Sequence, residues 1–265
     1  MQAANPINQE LTVSDIVAGL TGIKVGGQWF LTYENGEIGE TNFNEFAIQR
    51  GYISITKTFN SKISARITPD ISVDQEGDGI GDLEMRLKYC FLKYGFNDIG
   101  FITKPYFEVG LVHRPWLDFE QKINPYRVQG KLYLERNGIF NSGDYGVLFA
   151  ALLGGEMSSK YKKNVSQNYP GKYGSLAIGV FNGGGYHALE ANENKSIESR
   201  LTLRPLPSIF PGLQFSYTGV IGKGNTIAAP DWKFNSGFVS YETKIIAITG
   251  MFYKGTGNYK GSVDA

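Results

Sequence analysis

The chain has 265 residues, a formal net charge of +1, 34 glycines, and 14% aromatic against 19% charged residues. Glycine is nearly twice its usual share of about 7%. The composition excludes a disordered polyelectrolyte, and the neutral balance leaves nucleic-acid binding without an electrostatic engine. One cysteine, Cys90, and two histidines, His113 and His187, exclude an internal disulfide and a cysteine zinc site. No metal or cofactor is expected.

Residues 1–20 read as a lead-in, with a short helical turn over 6–18 and neither the basic start nor the apolar centre of a secretory signal. The expected context is an exported chain whose signal has been removed. The most apolar stretch, 146–155, stops well short of the roughly 18 residues of a membrane helix. Beyond residue 22, period-two alternation predicts about eleven strands, over 23–33, 46–58, 63–68, 83–94, 104–114, 144–153, 173–181, 197–204, 213–221, 234–243 and 245–254. In 83–94 the alternation puts Leu83, Met85, Leu87, Tyr89 and Phe91 on an apolar face and Glu84, Arg86, Lys88 and Cys90 on a polar one.

The connections alternate in kind. Short turns are expected at 59–62, 96–100, 206–212 and 242–244, and longer Gly-, Asn- and acid-rich loops at 34–44, 74–81, 117–143, 182–195 and 222–232; only 154–172 is long where a short turn is due. Short turns at one end and long loops at the other predict an all-β fold, an antiparallel transmembrane β-barrel forming one domain over 1–265. Trp29, Tyr33, Tyr52, Tyr94, Tyr106, Tyr217, Tyr241 and Tyr253 are expected in its interfacial girdles.

Two readings from other classes share the strand pattern. An outer-membrane barrel hydrolase needs a nucleophile with a base in reach, and neither His113 nor His187 has a neighbouring serine on its strand face. A soluble carbohydrate-binding β-sandwich would use the aromatics as sugar platforms, and would stay monodisperse without detergent. Gly183–Gly185 lacks the following helix and Lys-Ser/Thr of a phosphate cradle. The acidic run 74–82 misses the spacing of an EF-hand.

The segment 110–120 ends a strand in Pro115-Trp116. It runs through Asn124-Pro-Tyr-Arg127 and Glu135-Arg-Asn-Gly138 into Asp144-Tyr-Gly-Val147, and 177–186 forms a glycine-rich strand exit. In this order the motifs resemble outer-membrane porins of the phosphate-selective type. The resemblance implies a bacterial outer-membrane location, passive diffusion of small hydrophilic or anionic solutes, no enzymatic activity, a homotrimer, and a constriction loop over 117–143. That loop would present Asp118, Glu120, Lys122, Arg127, Lys131, Glu135 and Arg136 to the lumen. An odd strand number and the closing Tyr259–Ala265 depart from the pattern, and imply a truncated larger barrel.

With the apolar face to lipid, the pore wall is expected to carry Lys24, Arg66, Arg86, Lys88, Arg114, Arg200 and Arg204 against Glu84, Glu108 and Glu198. Seven basic less three acidic residues leave a surplus of four, a weak anion preference.

Overall fold

The computed structural model describes residues 19–75, 77–124 and 126–262. The helical turn expected over 6–18 lies outside them. The described chain forms one antiparallel sheet of eleven strands paired strictly in chain order. These are β1 (Ile23–Ile38), β2 (Thr41–Thr58), β3 (Ile63–Val73), β4 (Leu83–Gly95), β5 (Ile102–His113), β6 (Gly143–Leu153), β7 (Gly174–Phe181), β8 (Ser196–Leu203), β9 (Leu213–Lys223), β10 (Asp231–Glu242) and β11 (Ala247–Thr256). All eleven predicted strands are present. The loop expected at 34–44 is instead a continuation of β1 and β2, which pair down to Ile38 and Thr41 around a two-residue turn. Gly39 takes φ +64 there, a conformation that costs a residue without Cβ little.

Among the described residues three short α-helices interrupt the strands: α1 (Pro115–Ile123), α2 (Tyr133–Arg136) and α3 (Ser159–Asn164). No described helix is long and apolar enough to cross a membrane. α1 and α2 lie in the β5–β6 connection. α3 lies in the β6–β7 connection at the opposite end.

The two sheet faces differ sharply. On β7 to β10 one face is exposed and apolar, with Ile178, Val180, Ile197, Leu201, Phe215, Tyr217, Ile221 and Val239. The other is buried and largely polar, with Ser175, Ser196, Glu198, Arg200, Thr202, Ser216, Thr218 and Ser240. The segment 114–142 packs on this second face, called inner below, with α1 resting on β7 and β8. Trp116, Leu117, Phe119, Ile123, Leu132, Leu134 and Phe140 join Val220, Trp232, Phe234 and Phe238 in one apolar cluster. The apolar core thus lies between an inserted segment and the wall.

Both edges of the sheet reach that same segment. The Arg127 guanidinium sits 5.5 Å from the Phe30 ring of β1, and the Tyr133 ring 6.2 Å from Tyr253 of β11. Residues 127 and 133 are separated by about 20 Å of chain at most, so the sheet curls around the insertion. No ladder joins β1 to β11 among the described residues. As the first and eleventh strands of an antiparallel meander, they run in the same direction.

A bulge corrects the expected faces of β4. Thr68 pairs with Tyr89 and Pro69 with Leu87, so Lys88 is the extra residue. A bulge shifts the side-chain alternation by one. Lys88, Tyr89 and Phe91 are all buried inside, whereas Cys90 is exposed with Leu92 on the outer face. Tyr52 likewise turns inward, 3.3 Å from the Lys88 ammonium, and Tyr106 packs on the inner cluster of Tyr89, Phe91 and Val112. Tyr253, stacked on Phe234 and beside Tyr133 of the insertion, also faces inward, and none of the three belongs to an outer girdle.

Candidate functional site

The inserted segment is anchored where it leaves β5. Arg114 donates from Nε to Glu198 Oε2 at 2.6 Å and from Nη1 to Asp144 Oδ2 at 3.1 Å, all three side chains being 0% exposed. The second Glu198 oxygen accepts the Trp116 amide at 2.8 Å, one of the orphan donors of α1, and places a negative charge at the helix start. Asp144 Oδ2 also accepts the Gly183 amide at 2.9 Å. The glycine run at 183–185 is therefore a docking point for the 182–195 loop.

Arg200 holds the segment further along. It donates to the Pro115 carbonyl at 3.2 Å, to Ser175 at 2.9 Å and to Thr202 at 2.7 Å, with its guanidinium 4.5 Å from the Phe119 ring and 4.6 Å from the Tyr169 ring. Tyr169, from the β6–β7 connection, donates to Asp118. Arg204 bonds the Pro211 carbonyl at 2.8 Å and Gln214 at 3.1 Å.

All ten residues expected on the pore wall lie in or beside strands of the inner face, but six of them do not meet solvent. Lys88, Glu108, Arg114, Glu198, Arg200 and Arg204 are each buried. The inserted segment and its anchoring bonds cover Arg114, Glu198 and Arg200, and His113 and Lys93 flank Glu108. Tyr52, Asp70 and Tyr186 enclose Lys88, and Tyr161, Pro211 and Gln214 enclose Arg204. Arg66 and Glu84 are half-buried, and Lys24 and Arg86 exposed. Arg86 pairs with Glu84. Inward-facing Asp70, 3.6 Å from Lys88, and Asp144 are acids that alternation alone does not single out, and they halve the surplus of four to two.

Of the residues expected in the loop, Asp118 and Lys122 border open space. Lys131 and Arg136 are exposed, and Arg127 and Glu135 half-buried. Glu120 is held inside the segment. Burial pushes its carboxyl up to about 7, and the nearby Glu135 charge adds to the shift. Asp118 behaves oppositely: burial alone would raise it, but His113, Lys122 and the bonds from Tyr169 and Gln121 outweigh that and hold it at about 2.

α1 covers only the β7–β10 side of the interior. Its polar side, Asp118, Gln121 and Lys122, faces a cavity of about 240 Å³ whose far wall is Gly26, Gln28, Tyr52, Ser54, Arg66, Thr68 and Lys88 from β1 to β4. A Cβ built at Gly26 meets no atom within 4 Å. The cavity lining thus carries Arg66, Lys88 and Lys122 against Asp118. Tyr186, from the 182–195 loop, sits with its ring 5.3 Å from the Lys88 ammonium and donates to Asp70 at 3.3 Å.

Gln28, Gln121, Asp70 and Tyr186 are the site residues that sequence reasoning missed. For α1 a signal existed: Pro115 at the first helical position, Asp118 in the first turn and Lys122 in the last. Comparison with family models and with curated proteins finds no match to this chain.

Proposed function

We propose that the protein is an outer-membrane porin whose curled sheet forms the wall of a transmembrane barrel, with the inserted segment as its constriction. The observation that carries this reading is the inverted distribution of side chains. Isoleucine, leucine, valine and aromatic residues cover the outside, while paired arginines and carboxylates fill the inside. In water a contiguous apolar surface beyond a few hundred Å² is a liability; in a bilayer it is what a strand must present. The motif order at 110–147 that resembles phosphate-selective porins supports the same assignment.

The open path is the cavity between α1 and β1 to β4. Small hydrophilic solutes pass there, and the basic excess on its lining gives a weak preference for anions. A trimeric assembly in the bacterial outer membrane follows from the resemblance. The test is single-channel recording in planar bilayers with the purified, refolded chain. Stepwise conductance supports the porin reading. A protein that inserts and gives no current counts against it, and one that stays monodisperse in plain buffer favours the soluble sandwich.

A further inference from the structure

The chain-order meander puts the connections 59–62, 96–101, 154–173, 204–212 and 243–246 at one rim of the sheet. Two features coincide there. Lys62, Lys160, Lys163, Lys172 and Lys244 are exposed, and none forms an ion pair with a described residue. Among the acids of this rim, Glu156 is already shared by Lys104 at 2.6 Å and Lys162 at 2.9 Å, and Asp98 accepts the Lys104 amide. Between the lysines stand exposed apolar side chains: Phe59, Ile99, Phe101, Ile209, Phe210 and Ile245, the last 86% exposed.

The opposite rim mixes acids with basic residues such as Lys131, Arg136 and Lys195, and its acids cluster on one side. The β1–β2 hairpin carries Glu34, Glu37, Glu40 and Glu45, and the β3–β4 connection Asp74, Asp78 and Asp82. A near-neutral chain is therefore polarised along its strand axis.

We infer that the lysine-bearing rim is a contact surface for anionic phospholipid headgroups. Alternating ammonium groups and bare apolar side chains suit the boundary where acyl chains meet phosphates. The apolar residues enter the acyl region, and the lysines extend along it to reach headgroup charge. Each lysine near an anionic surface gains about fivefold in attraction, a gain that salt screens. On the opposite rim the basic residues stand among acids, with Lys223 and Lys233 sharing Asp231, so the charge polarity selects which end contacts the anionic leaflet.

The inference rests on the membrane-spanning reading, and one experiment separates the two. The full chain is reconstituted into vesicles of equal phosphatidylcholine and phosphatidylglycerol. The lipids kept through mild detergent extraction are then measured by mass spectrometry. The expected result is phosphatidylglycerol enriched roughly threefold over phosphatidylcholine at low salt. Enrichment should fall toward equality at high salt and in the Lys160→Gln, Lys163→Gln, Lys244→Gln triple variant. It should persist in Lys223→Gln, Lys233→Gln on the opposite rim. Equal retention of both lipids by the wild type, or a triple variant that keeps the full enrichment, overturns the lipid surface while leaving the barrel intact. A chain that associates with no vesicle overturns both.

Discussion

Glu198 Oε2 lies 2.6 Å from Arg114 Nε, across 84 residues of chain, with both side chains sealed from solvent. The bond ties the first residue of the inserted segment to the wall strand β8, and with the Arg200 bond to the Pro115 carbonyl it sets where α1 begins.

Breaking a buried pair is expensive because the remaining charge has no water to turn to. Arg114→Met strands two carboxylates, Glu198 and Asp144, and should destabilise the fold by about 3 to 5 kcal/mol. Glu198→Gln leaves Arg114 its bond to Asp144, so it should cost less. Urea unfolding in detergent measures both. Equal, small effects would mean that the segment is held by its apolar contacts alone.

The Glu120 carboxyl, pushed up to about 7 by burial and by Glu135, makes the packing of the segment pH-dependent. Its folded pKa lies above the ordinary value of 4.5, so its protonated form is the one the packed segment favours. Stability from this group is complete below about 4.5 and is lost as pH rises through 7. Protection factors over 116–140, that is, exchange rates corrected for the intrinsic rise of amide exchange with pH, should therefore be larger at pH 5 than at pH 8, and Glu120→Gln should abolish that difference in protection.

The strands were legible because each wall strand presents one face to the apolar side and one to the polar side, which imposes period two on the sequence. Three features escaped that reading for a shared reason. The bulge at Lys88 reverses the period within a strand, so Tyr89, Phe91 and Cys90 exchange faces. The 34–44 stretch is polar and glycine-containing, yet pairs as strand because its backbone partners lie directly opposite. α1 spans nine residues, too short for periodicity to stand out. The site was legible only as inner-face charges. Which of them the segment covers depends on Arg114, Glu198 and Arg200 meeting across long sequence separations, which no local pattern records.

The outer face should reject charge where it meets the middle of a bilayer. Ile178→Arg and Leu201→Arg, both central in their strands and exposed, should each cost about 2 to 4 kcal/mol in a lipid environment. Gln28→Arg, on the cavity wall, should cost little. Equal tolerance at all positions, measured by unfolding in bilayers, would contradict a lipid-facing exterior.

Ion preference should follow the cavity lining. Arg66→Glu with Lys122→Glu reverses two charges on the cavity lining. The reversal potential should move toward cations at low salt and less at high salt, where screening acts over about 3 Å at 1 M. Reversing Lys223 and Lys233, which pair with Asp231 at 2.6 and 2.7 Å, should leave it nearly unchanged.

The proposed passage through the cavity between α1 and β1 to β4 is tested most directly by placing a reactive thiol in it. Gln121→Cys, in a Cys90→Ser background that removes the exposed outer thiol, puts the only cysteine at the cavity. During bilayer recording, a bulky charged thiol reagent should lower the conductance in discrete steps, and a reducing agent should restore it. A channel that labels fully at Gln121→Cys and keeps its whole current would show that solutes cross elsewhere.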